Sequence, residues 1–395
     1  MNRLREMQST LRSVLMWPKR VTTVVYPPGK SSDLLLQYLD LAETQVINPW
    51  GKRLNIPALI HMAFGGKRTR FDYLISYLKL ARPKYLITTS DNDLSFYRVK
   101  SALPQITTIS IQNGLRANYS SVPGQGFIES IERESGLSSD YAITFGVAIS
   151  ELLKTHIATN TFVAGSLRNN TFDAIGVAEQ SDLIMYVSQL PNHETENSSL
   201  VAYYQGHKIS YSEFYSAEKI ICDQLAEYCS NNEIRFEICG KQSSTFSHES
   251  EFFKPHKVSS RNTPLGSYEQ LVRAGLIVTL DSTLGYEFLA RGKRVVFVGG
   301  RFALHHDLAV RNMKGIKFGF PLNEPSNGPF WTDNLSGAQI TELLDQVRSM
   351  THDEWTTQIN RYKDLFMKFD PNNQELVSFF SNLGIPILPV EPRVA

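Results

Sequence analysis

The feature that most constrains the fold is a repeated alternation of short apolar runs, rich in β-branched residues, with helical patterns. Runs such as 21–26 and 85–88 predict buried strands, and the segments between them carry helical spacing of leucines and other apolar residues. After a polar connector at 169–179, a second series begins at Asp182 and continues to a strand at 294–298. Strand–helix–strand alternation of this kind predicts an α/β fold with parallel, doubly wound sheets.

The length of the chain and the polar connector predict two domains. A chain of 395 residues exceeds what one hydrophobic core usually serves. We expect a first Rossmann-like domain at 1–175, a second at 180–350, and C-terminal helices at 351–395 that pack back onto the first domain. Ligands of open α/β sheets bind outside the carboxyl ends of the strands, so two such domains facing a cleft would line it with their strand-to-helix loops.

Charge, cysteine and histidine content exclude several classes of protein. The 40 basic and 39 acidic residues leave a net charge of +1, which is not the basic footprint of a nucleic-acid-binding protein. Cys222, Cys229 and Cys239 lack metal-ligand spacing and are expected to be buried small hydrophobes. Only His305 and His306 are adjacent among the histidines. We therefore predict no structural metal and no cofactor.

The first twenty residues are basic, and no apolar run is long enough to span a bilayer. Arg3, Arg5, Arg12, Lys19 and Arg20 are opposed there by a single acid. Such a segment can be a solvated helix or a basic amphipathic helix that rests on anionic lipid. We expect a cytoplasmic protein, with peripheral contact to the inner membrane as the alternative for this segment.

The loop at 281–287, after a predicted strand of the second half, has the features of a phosphate site. Ser282 or Thr283 can cap the next helix, and Gly285 would let a ligand approach the backbone. The N–H groups and the positive dipole end at a helix start suit a phosphate. Glu287, one turn in from Thr283, could accept both hydroxyls of a ribose. Alternatively, the hydroxyl only caps the helix, and the glutamate only interacts favourably with the positive end of the helix dipole.

Other polar residues of the second half follow predicted strands or begin helices. Lys241 follows a strand and would neutralise phosphate charge, and Arg301 is a further candidate for anion contact. Ser267 is expected to begin a helix, with Gln270 completing a capping box, so its structural role is favoured over ligand binding. Arg291 is expected on a solvated helix face.

Asp91 and Asp93 directly follow the predicted strand 85–88. An inverting transferase needs a group that takes the proton of the acceptor hydroxyl, and a retaining one can use a carboxylate nucleophile. Either aspartate could serve. The alternative is an Asx turn in which Asp93 caps the helix that starts at Leu94.

The loop after the next predicted strand offers groups that suit a sugar. The amides of Gln112 and Asn113 can recognise hydroxyls, and Arg116 could hold a carboxylate or phosphate with two hydrogen bonds. The stretch 117–127, with its serines and glycines, is interpreted either as a loop that closes on ligand or as a plain surface connection. Ser166 ends the last strand of the first half.

Several of these segments, in order, resemble bacterial surface-carbohydrate biosynthesis proteins with the GT-B glycosyltransferase fold. The stretch 281–297 is similar to the donor-nucleotide loop of that fold, in which a Ser/Thr-Gly-x-Glu helix start contacts phosphate and ribose. The resemblance implies that Ser188 and Gln189 face the donor phosphate across the cleft. The matching segments are 88–93, 111–116, 165–170, 187–189 and 281–297.

The resemblance implies a nucleotide-sugar-dependent, metal-independent glycosyltransferase that builds a surface polysaccharide such as O-antigen or capsule, with a glycan or glycolipid acceptor. The arginines and lysines suggest a CMP-activated acidic sugar such as Kdo as donor. Alternatives of the same architecture are a sugar-nucleotide 2-epimerase, a polyol-phosphate transferase and a non-catalytic nucleotide-sugar-binding protein. Asp91-Asn92-Asp93 also matches the manganese motif of the GT-A fold, which two Rossmann-like halves disfavour.

The predicted site therefore has three groups of residues. The catalytic candidates are Asp91 and Asp93. The predicted donor-binding residues are Ser188, Gln189, Gly240, Lys241, Ser267, Ser282, Thr283, Gly285, Glu287 and Arg301. The predicted acceptor-binding residues are Gln112, Asn113, Arg116, Ser166 and Asn169.

Overall fold

The structure is a computed structural model. It describes residues 15–49, 51, 54–66, 68–115, 119–120, 126–173, 177–190, 201–204, 206–241, 247–261, 263, 265–311, 317–322 and 324–388. Its strands, in chain order, are β1 Thr23–Tyr26, β2 Thr44–Val46, β3 Tyr85–Thr88, β4 Thr107–Ile111, β5 Tyr119–Ser120, β6 Ser138–Thr144, β7 Ala158–Val163, β8 Gln180–Val187, β9 Val201–Tyr204, β10 His207–Ser210, β11 Arg235–Cys239, β12 Val258–Ser259, β13 Ala274–Thr279, β14 Val295–Val298, β15 Asn327–Gly328 and β16 Trp331–Thr332.

The helices of the described residues connect these strands and close the chain. In chain order they are α1 Lys30–Leu35, α2 Ile56–Phe64, α3 Arg70–Ala81, α4 Leu94–Ala102, α5 Phe127–Arg133, α6 Val147–His156, α7 Leu167–Thr171, α8 Tyr211–Asn231, α9 Ser247–Phe252, α10 Gly266–Leu271, α11 Thr283–Ala290, α12 Leu308–Arg311, α13 Gly337–Ser349, α14 His352–Ile359, α15 Lys363–Phe366 and α16 Gln374–Leu383. A 3-10 turn at Pro371–Asn373 precedes α16.

The first half of the chain forms a six-stranded sheet in the order β2-β1-β3-β4-β6-β7, and all its pairings are parallel. Neighbouring residues of one strand enter separate apolar clusters: Val24 and Leu86 belong to one, Val25 and Ile87 to the other. Strands that are buried on both faces lack polar alternation, which is why they appear in the sequence as continuous apolar runs.

The second half forms a seven-stranded sheet in the order β12-β11-β8-β13-β14-β16-β15, which is parallel except for the β15–β16 hairpin. Its long helix α8 begins with a capping box formed by Ser210 and Glu213. Cys222, Cys229 and Cys239 are unbridged and buried in the core of this domain, as predicted. The expected architecture of two Rossmann-like α/β units is confirmed.

A third, small sheet joins the two halves. Strand β5 pairs antiparallel with β9, which in turn pairs with β10, so that the order is β10-β9-β5. Strand β5 lies within the stretch 117–127. The sequence allows two interpretations of this stretch, a loop that closes on ligand or a surface connection. The described part of that stretch includes a strand that bonds to the other domain.

The end of the chain returns to the first domain, as predicted: α15 lies against Gly146 at the start of α6, and the last helix enters the core of the first domain. Trp355 of α14 and Phe366 of α15 lie in the core of the second domain, whereas Phe380 of α16 packs with the core of the first. Where the chain crosses back, Gly165 has a φ of 75° and a Cβ there would lie 2.0 Å from the carbonyl oxygen of Lys368. No residue other than glycine fits this crossing.

Two predicted helices differ from the structure. The spacing of apolar residues predicts a helix over 33–41, but the helix of the structure ends at Leu35, and Leu39 forms a bridge with Ile387. The pattern over 351–369 predicts one helix, which the structure divides into α14 and α15. The domain boundaries at 175, 180 and 350 stay predictions.

Candidate functional site

Two adjoining cavities lie between the sheets, at the carboxyl ends of their strands. The larger has a volume of about 310 Å³ and the smaller about 190 Å³. They share Arg261, Ser267, Ser282, Thr283 and Leu284 in their walls. The strand-to-helix loops of both domains therefore form one divided cleft, with the start of α11 between its two parts.

Basic side chains dominate the charge of the larger cavity. Lys241, Arg261, Arg301 and Lys317 line it, and Asp281 is the single acidic residue among its described lining residues. Two of the four cations are neutralised: Arg301 pairs with Asp281 at 2.7 Å, and Lys317 pairs with Asp333 at 2.8 Å. Lys241 and Arg261 form no ion pair with a described carboxylate, so the cavity keeps an excess of positive charge.

Arg301 is fixed in place by contacts on every side. Its side chain is 2% exposed; it donates to both oxygens of Asp281, to the carbonyl oxygen of Phe214 and to the side-chain oxygen of Gln189. The guanidinium also lies 4.4 Å from the centre of the Phe214 ring. These donors of Arg301 are thus engaged by protein groups, and the guanidinium is a fixed part of the cavity wall.

The loop after β8 is held by a buried carboxyl group. Glu218 of α8 is fully buried; its Oε2 accepts from the backbone N–H of Gln189 at 3.1 Å, and its Oε1 has no hydrogen-bond partner among the described residues. Burial raises the pKa of this carboxyl from 4.5 to about 7. On the other side of the loop, Lys241 Nζ donates to the carbonyl oxygen of Gln189 at 3.2 Å. Removal from water lowers the pKa of Lys241.

The start of α11 combines a cap with a contact between domains. The Ser282 hydroxyl accepts from the backbone N–H of Leu284 at 3.3 Å, which is the capping role considered as the alternative. The hydroxyl of Thr283 accepts from the backbone N–H of Leu115 in the first domain at 3.2 Å. Both residues also line the cavities, so the cap and the ligand-binding predictions are compatible.

Gly285 is explained by packing instead of ligand approach. It is not among the lining residues of either cavity. A Cβ at this position would lie 2.5 Å from the Thr279 methyl carbon and 2.9 Å from the Phe297 ring. The absent side chain lets α11 approach the sheet closely, and the predicted contact between this glycine and a ligand has no support in the structure.

Glu287 lies at the smaller cavity and not at the larger one. Its two carboxylate oxygens accept from the hydroxyl of Ser166, in the first domain, at 2.5 Å and from the hydroxyl of Tyr268 at 2.6 Å. Burial raises the pKa of Glu287. Both carboxylate oxygens thus already accept hydrogen bonds. Glu287 can bind a ribose, as predicted, only if the hydroxyls of Ser166 and Tyr268 are displaced.

The predicted acceptor residues of the first domain divide into three groups. Gln112, Asn113 and Ser166 line the smaller cavity. Asn169 is fully buried and lines neither cavity. Arg116 lies outside the described residues.

Gln112 is braced within its own domain, because its side-chain oxygen accepts from the backbone N–H of Phe145 at 2.8 Å and its amide donates to Gly114. The side chain of Gln112 is therefore a fixed part of the cavity wall.

Asn169 serves the contact between the domains. Its amide donates to the carbonyl oxygen of Glu287 at 3.1 Å, and its side-chain oxygen accepts from Arg291 at 2.6 Å. Arg291 also donates to the carbonyl oxygen of Phe172 and lies 4.3 Å from the ring centre of Phe369. The expectation that Arg291 is a solvated residue is wrong, because its helix face is covered by the first domain and the returning chain.

Asp91 and Asp93 line neither cavity. Asp93 is the N-cap of α4, with its Oδ1 accepting from the backbone N–H of Ser95 at 3.0 Å, which is the structural alternative considered from the sequence. Asp91 is buried behind Asn113, whose backbone N–H donates to it at 3.2 Å. The structure gives both aspartates a scaffolding function, and their catalytic role has no support from geometry.

Ser267 and its helix differ from the predicted cap. Helix α10 begins at Gly266 after Leu265, without a side-chain cap, and Gln270 donates to the carbonyl oxygen of Ser260 instead of closing a capping box. Ser267 lines both cavities. The predicted capping role is therefore wrong, because the helix starts one residue earlier, and the ligand-binding role of Ser267 stays a prediction.

Several lining residues were not predicted from the sequence, among them Arg168, Arg261, Tyr268 and Lys317. Arg168 stands within a segment that the resemblance had singled out, so its neighbours were a usable signal. Around Arg261 and Lys317 the sequence has no periodicity that indicates where a side chain points. Gly240, Ser188 and Gln189, which were predicted, line the larger cavity together with Lys241 and Arg301.

One group of residues has the composition of a metal site. The ligand atoms of Glu213, His305 and His306 lie within 4.8 Å of one another, and none of the three residues lines either cavity. The absence of a structural metal stays a prediction. No helix within the described ranges is long and apolar enough to cross a membrane.

Two parallel, helix-covered sheets with a cleft between the carboxyl ends of their strands define a GT-B-type protein. A solved structure of the wall teichoic acid polymerase TagF is 12% identical to this chain, with a TM-score of 0.51, and the match covers 92% of this chain and 89% of the polymerase. A UDP-GlcNAc 2-epimerase from Methanocaldococcus jannaschii is 13% identical, with a TM-score of 0.49 and coverage of 91% and 98%. At these identities the likeness concerns the fold alone.

The family is shown by a sequence model. A family model described as "putative O-antigen biosynthesis protein" matches residues 109–383, which is well over half of the chain. The chain therefore belongs to this O-antigen biosynthesis family. A search of curated protein sequences finds no match.

Proposed function

We propose that this protein is a nucleotide-sugar-dependent glycosyltransferase that acts in the synthesis of a bacterial surface polysaccharide. The donor nucleotide would occupy the larger cavity and the acceptor would reach it through the smaller one. The family description supports a role in polysaccharide synthesis. The observation that carries the proposal is the excess positive charge that Lys241 and Arg261 give to the larger cavity.

The charge of this cavity suits the chemistry of sugar transfer. When the acceptor hydroxyl attacks the anomeric carbon and gives up its proton to water, the bond from that carbon to the phosphate oxygen breaks and the nucleotide leaves with increased negative charge. Fixed cations near the leaving phosphate stabilise such a transition state, more so in a cleft from which water is partly excluded. Lys241, held beside Gln189, and Arg261 are the lining cations placed for this function.

The finer donor proposal is a CMP-activated acidic sugar such as Kdo. Such a donor carries two anionic groups, the phosphate and the sugar carboxylate. Lys241 and Arg261 are two cations without a described carboxylate partner, and Arg261 lines both cavities. One cation could therefore hold the phosphate while the other holds the carboxylate near the acceptor side.

Titration calorimetry with CMP, UDP and GDP tests nucleotide binding. We expect one nucleotide to bind, and Lys241→Gln and Arg261→Gln each to weaken it by about tenfold or more, as the loss of a charged hydrogen bond predicts. Lys257→Gln is the matched control, because Lys257 is a lysine of the same domain that lines neither cavity. Equal affinity in all three variants would contradict the assignment of the cavity, and selective binding of UDP would rule out the CMP-linked donor.

A transfer assay separates the glycosyltransferase from the alternatives. The protein is incubated with activated sugars and a membrane extract that contains lipid-linked acceptors, and nucleotide release is compared with sugar incorporated into lipid. We expect both to rise together and to be insensitive to a chelator. Conversion of the donor to its C2 epimer without an acceptor would identify an epimerase, and loss of activity in chelator with rescue by manganese would contradict the metal-independent mechanism.

A further inference from the structure

Helix α2 of the first domain presents an apolar face to solvent. Ile56, Ile60 and Phe64 are four residues apart, so they form one stripe along the helix. They are 39%, 50% and 89% exposed, respectively. A stripe of this kind on a soluble domain usually marks a contact surface, since scattered single apolar residues do not align in this way.

A second exposed apolar segment lies against the start of this helix. Leu15, Met16 and Trp17 are each more than half exposed, and Trp17 is 72% exposed. Asn55, the N-cap of α2, donates through its amide to the carbonyl oxygen of Met16 at 2.8 Å. This hydrogen bond joins the two segments, which together contain six of the large exposed apolar side chains of the described residues; we call these six side chains the apolar face.

The sequence around the apolar face is basic. Residues 51–70 contain Lys52, Arg53, Lys67, Arg68 and Arg70 and no acidic residue, and 15–20 contain Lys19 and Arg20 and no acidic residue. Arg68, Arg70, Lys19 and Arg20 are exposed. The whole chain is nearly neutral, so the described cations Lys19, Arg20, Arg68 and Arg70 are a local concentration of positive charge in these two segments.

We propose that the apolar face docks the first domain on the surface of an anionic lipid bilayer. Large apolar side chains, tryptophan among them, enter the boundary between headgroups and acyl chains, while the surrounding cations are attracted to anionic headgroups. A protein partner or a second copy of the chain would be expected to bring acidic side chains or a matching apolar surface. The excess of one sign of charge around exposed apolar residues, and the lack of acids in both segments, favour the lipid surface.

Co-sedimentation of the full chain with vesicles tests this proposal. Vesicles of phosphatidylcholine alone are compared with vesicles that contain phosphatidylglycerol. We expect binding to the anionic vesicles, weakened by high salt because the charges are screened. The double variant Ile60→Asn/Phe64→Asn should lower the partition coefficient by about tenfold or more, since two exposed apolar side chains no longer enter the lipid. Arg68→Gln/Arg70→Gln should lower binding to anionic vesicles only.

The matched control is Leu308→Asn, which removes a leucine that is 66% exposed on the second domain. It should leave vesicle binding unchanged. Since the altered side chains are exposed, thermal unfolding should be the same in all variants. Failure of the wild type to bind phosphatidylglycerol vesicles would overturn the proposal. Unchanged binding by the Ile60→Asn/Phe64→Asn variant would also overturn it, as would concentration-dependent dimerisation that this variant abolishes. These readouts do not use activity, so they leave the proposed transferase function untouched.

Discussion

At the scale of single residues, the structure separates side chains that face the cleft from those that hold it. Lys241 lines the larger cavity, whereas Glu218 lies behind it and holds the backbone of Gln189. Asp93, which the sequence favours for chemistry, caps a helix. Residues that face the cleft and residues that hold its walls are of the same types, and both follow the ends of strands. The sequence therefore predicts that these residues lie at the correct edge of the sheet, but it does not predict which side chains point into the cleft.

The buried carboxyl of Glu218 should make stability depend on pH. Its pKa is raised to about 7 in the folded protein, so between pH 4.5 and 7 the folded state binds more protons than the unfolded state. The free energy of unfolding therefore falls as pH rises through this range, by up to about 3 kcal/mol for this group. Urea unfolding of wild type and Glu218→Gln at pH 5 and pH 8 checks this. From pH 5 to pH 8 the free energy of unfolding of the variant should rise relative to that of the wild type. A difference between the two that stays constant with pH would show that the carboxyl is already ionised at pH 5.

Asp93 offers a direct choice between a cap and a catalyst. Because asparagine caps helices as well as aspartate does, Asp93→Asn should retain stability, while Asp93→Ala should lose about 1 kcal/mol. If the cap is its whole function, Asp93→Asn also keeps the rate of sugar transfer. A rate reduced by orders of magnitude in a stable Asp93→Asn protein would restore the catalytic prediction.

At the scale of elements, the strands were predictable because burial on both faces leaves a continuous apolar run. Strand β3 begins and ends at the predicted residues. Short β2, β5, β9 and β10 were not predicted, because two to four residues give too little periodicity. Helix α10 started one residue early because its start has no capping side chain to mark it.

The packing of α11 on its sheet depends on Gly285. We expect Gly285→Ala to lower the free energy of unfolding by about 1–3 kcal/mol, because the new methyl group would overlap Thr279 and Phe297. Gly337→Ala is the control, since Gly337 also lies in the first turn of a helix and a Cβ there meets nothing closer than 3.9 Å. Chemical denaturation measures both. Equal stability of the two variants would mean that α11 can move away from the sheet at little cost.

At the scale of the whole molecule, a few buried polar contacts hold the two domains at the cleft. Ser166 and Asn169 of the first domain bond to Glu287, and Arg291 bonds to Asn169. The sequence predicted two domains and the return of the last helix. It predicted that three of these four residues bind ligands and that the fourth, Arg291, is exposed to solvent. Contacts between residues more than a hundred positions apart leave no periodic signal, so this part of the site could not be predicted.

Loss of the Arg291 contacts should loosen the two domains. Arg291→Met removes hydrogen bonds to Asn169 and Phe172, and we expect a loss of about 2 kcal/mol or more together with faster amide hydrogen exchange in 167–172. Arg361→Met is the control, because that side chain is 72% exposed. Unchanged exchange in Arg291→Met would show that these contacts do not set the geometry of the cleft.

The central claim is that the larger cavity holds the nucleotide of an activated sugar. A crystal structure of the protein with the nucleotide that binds best in calorimetry tests it most directly. The account predicts a phosphate within hydrogen-bond distance of Lys241 or Arg261, at the start of α11, with the sugar directed toward Gln112 and Ser166 in the smaller cavity. A nucleotide bound elsewhere, or a phosphate in the smaller cavity beside Glu287, would contradict it.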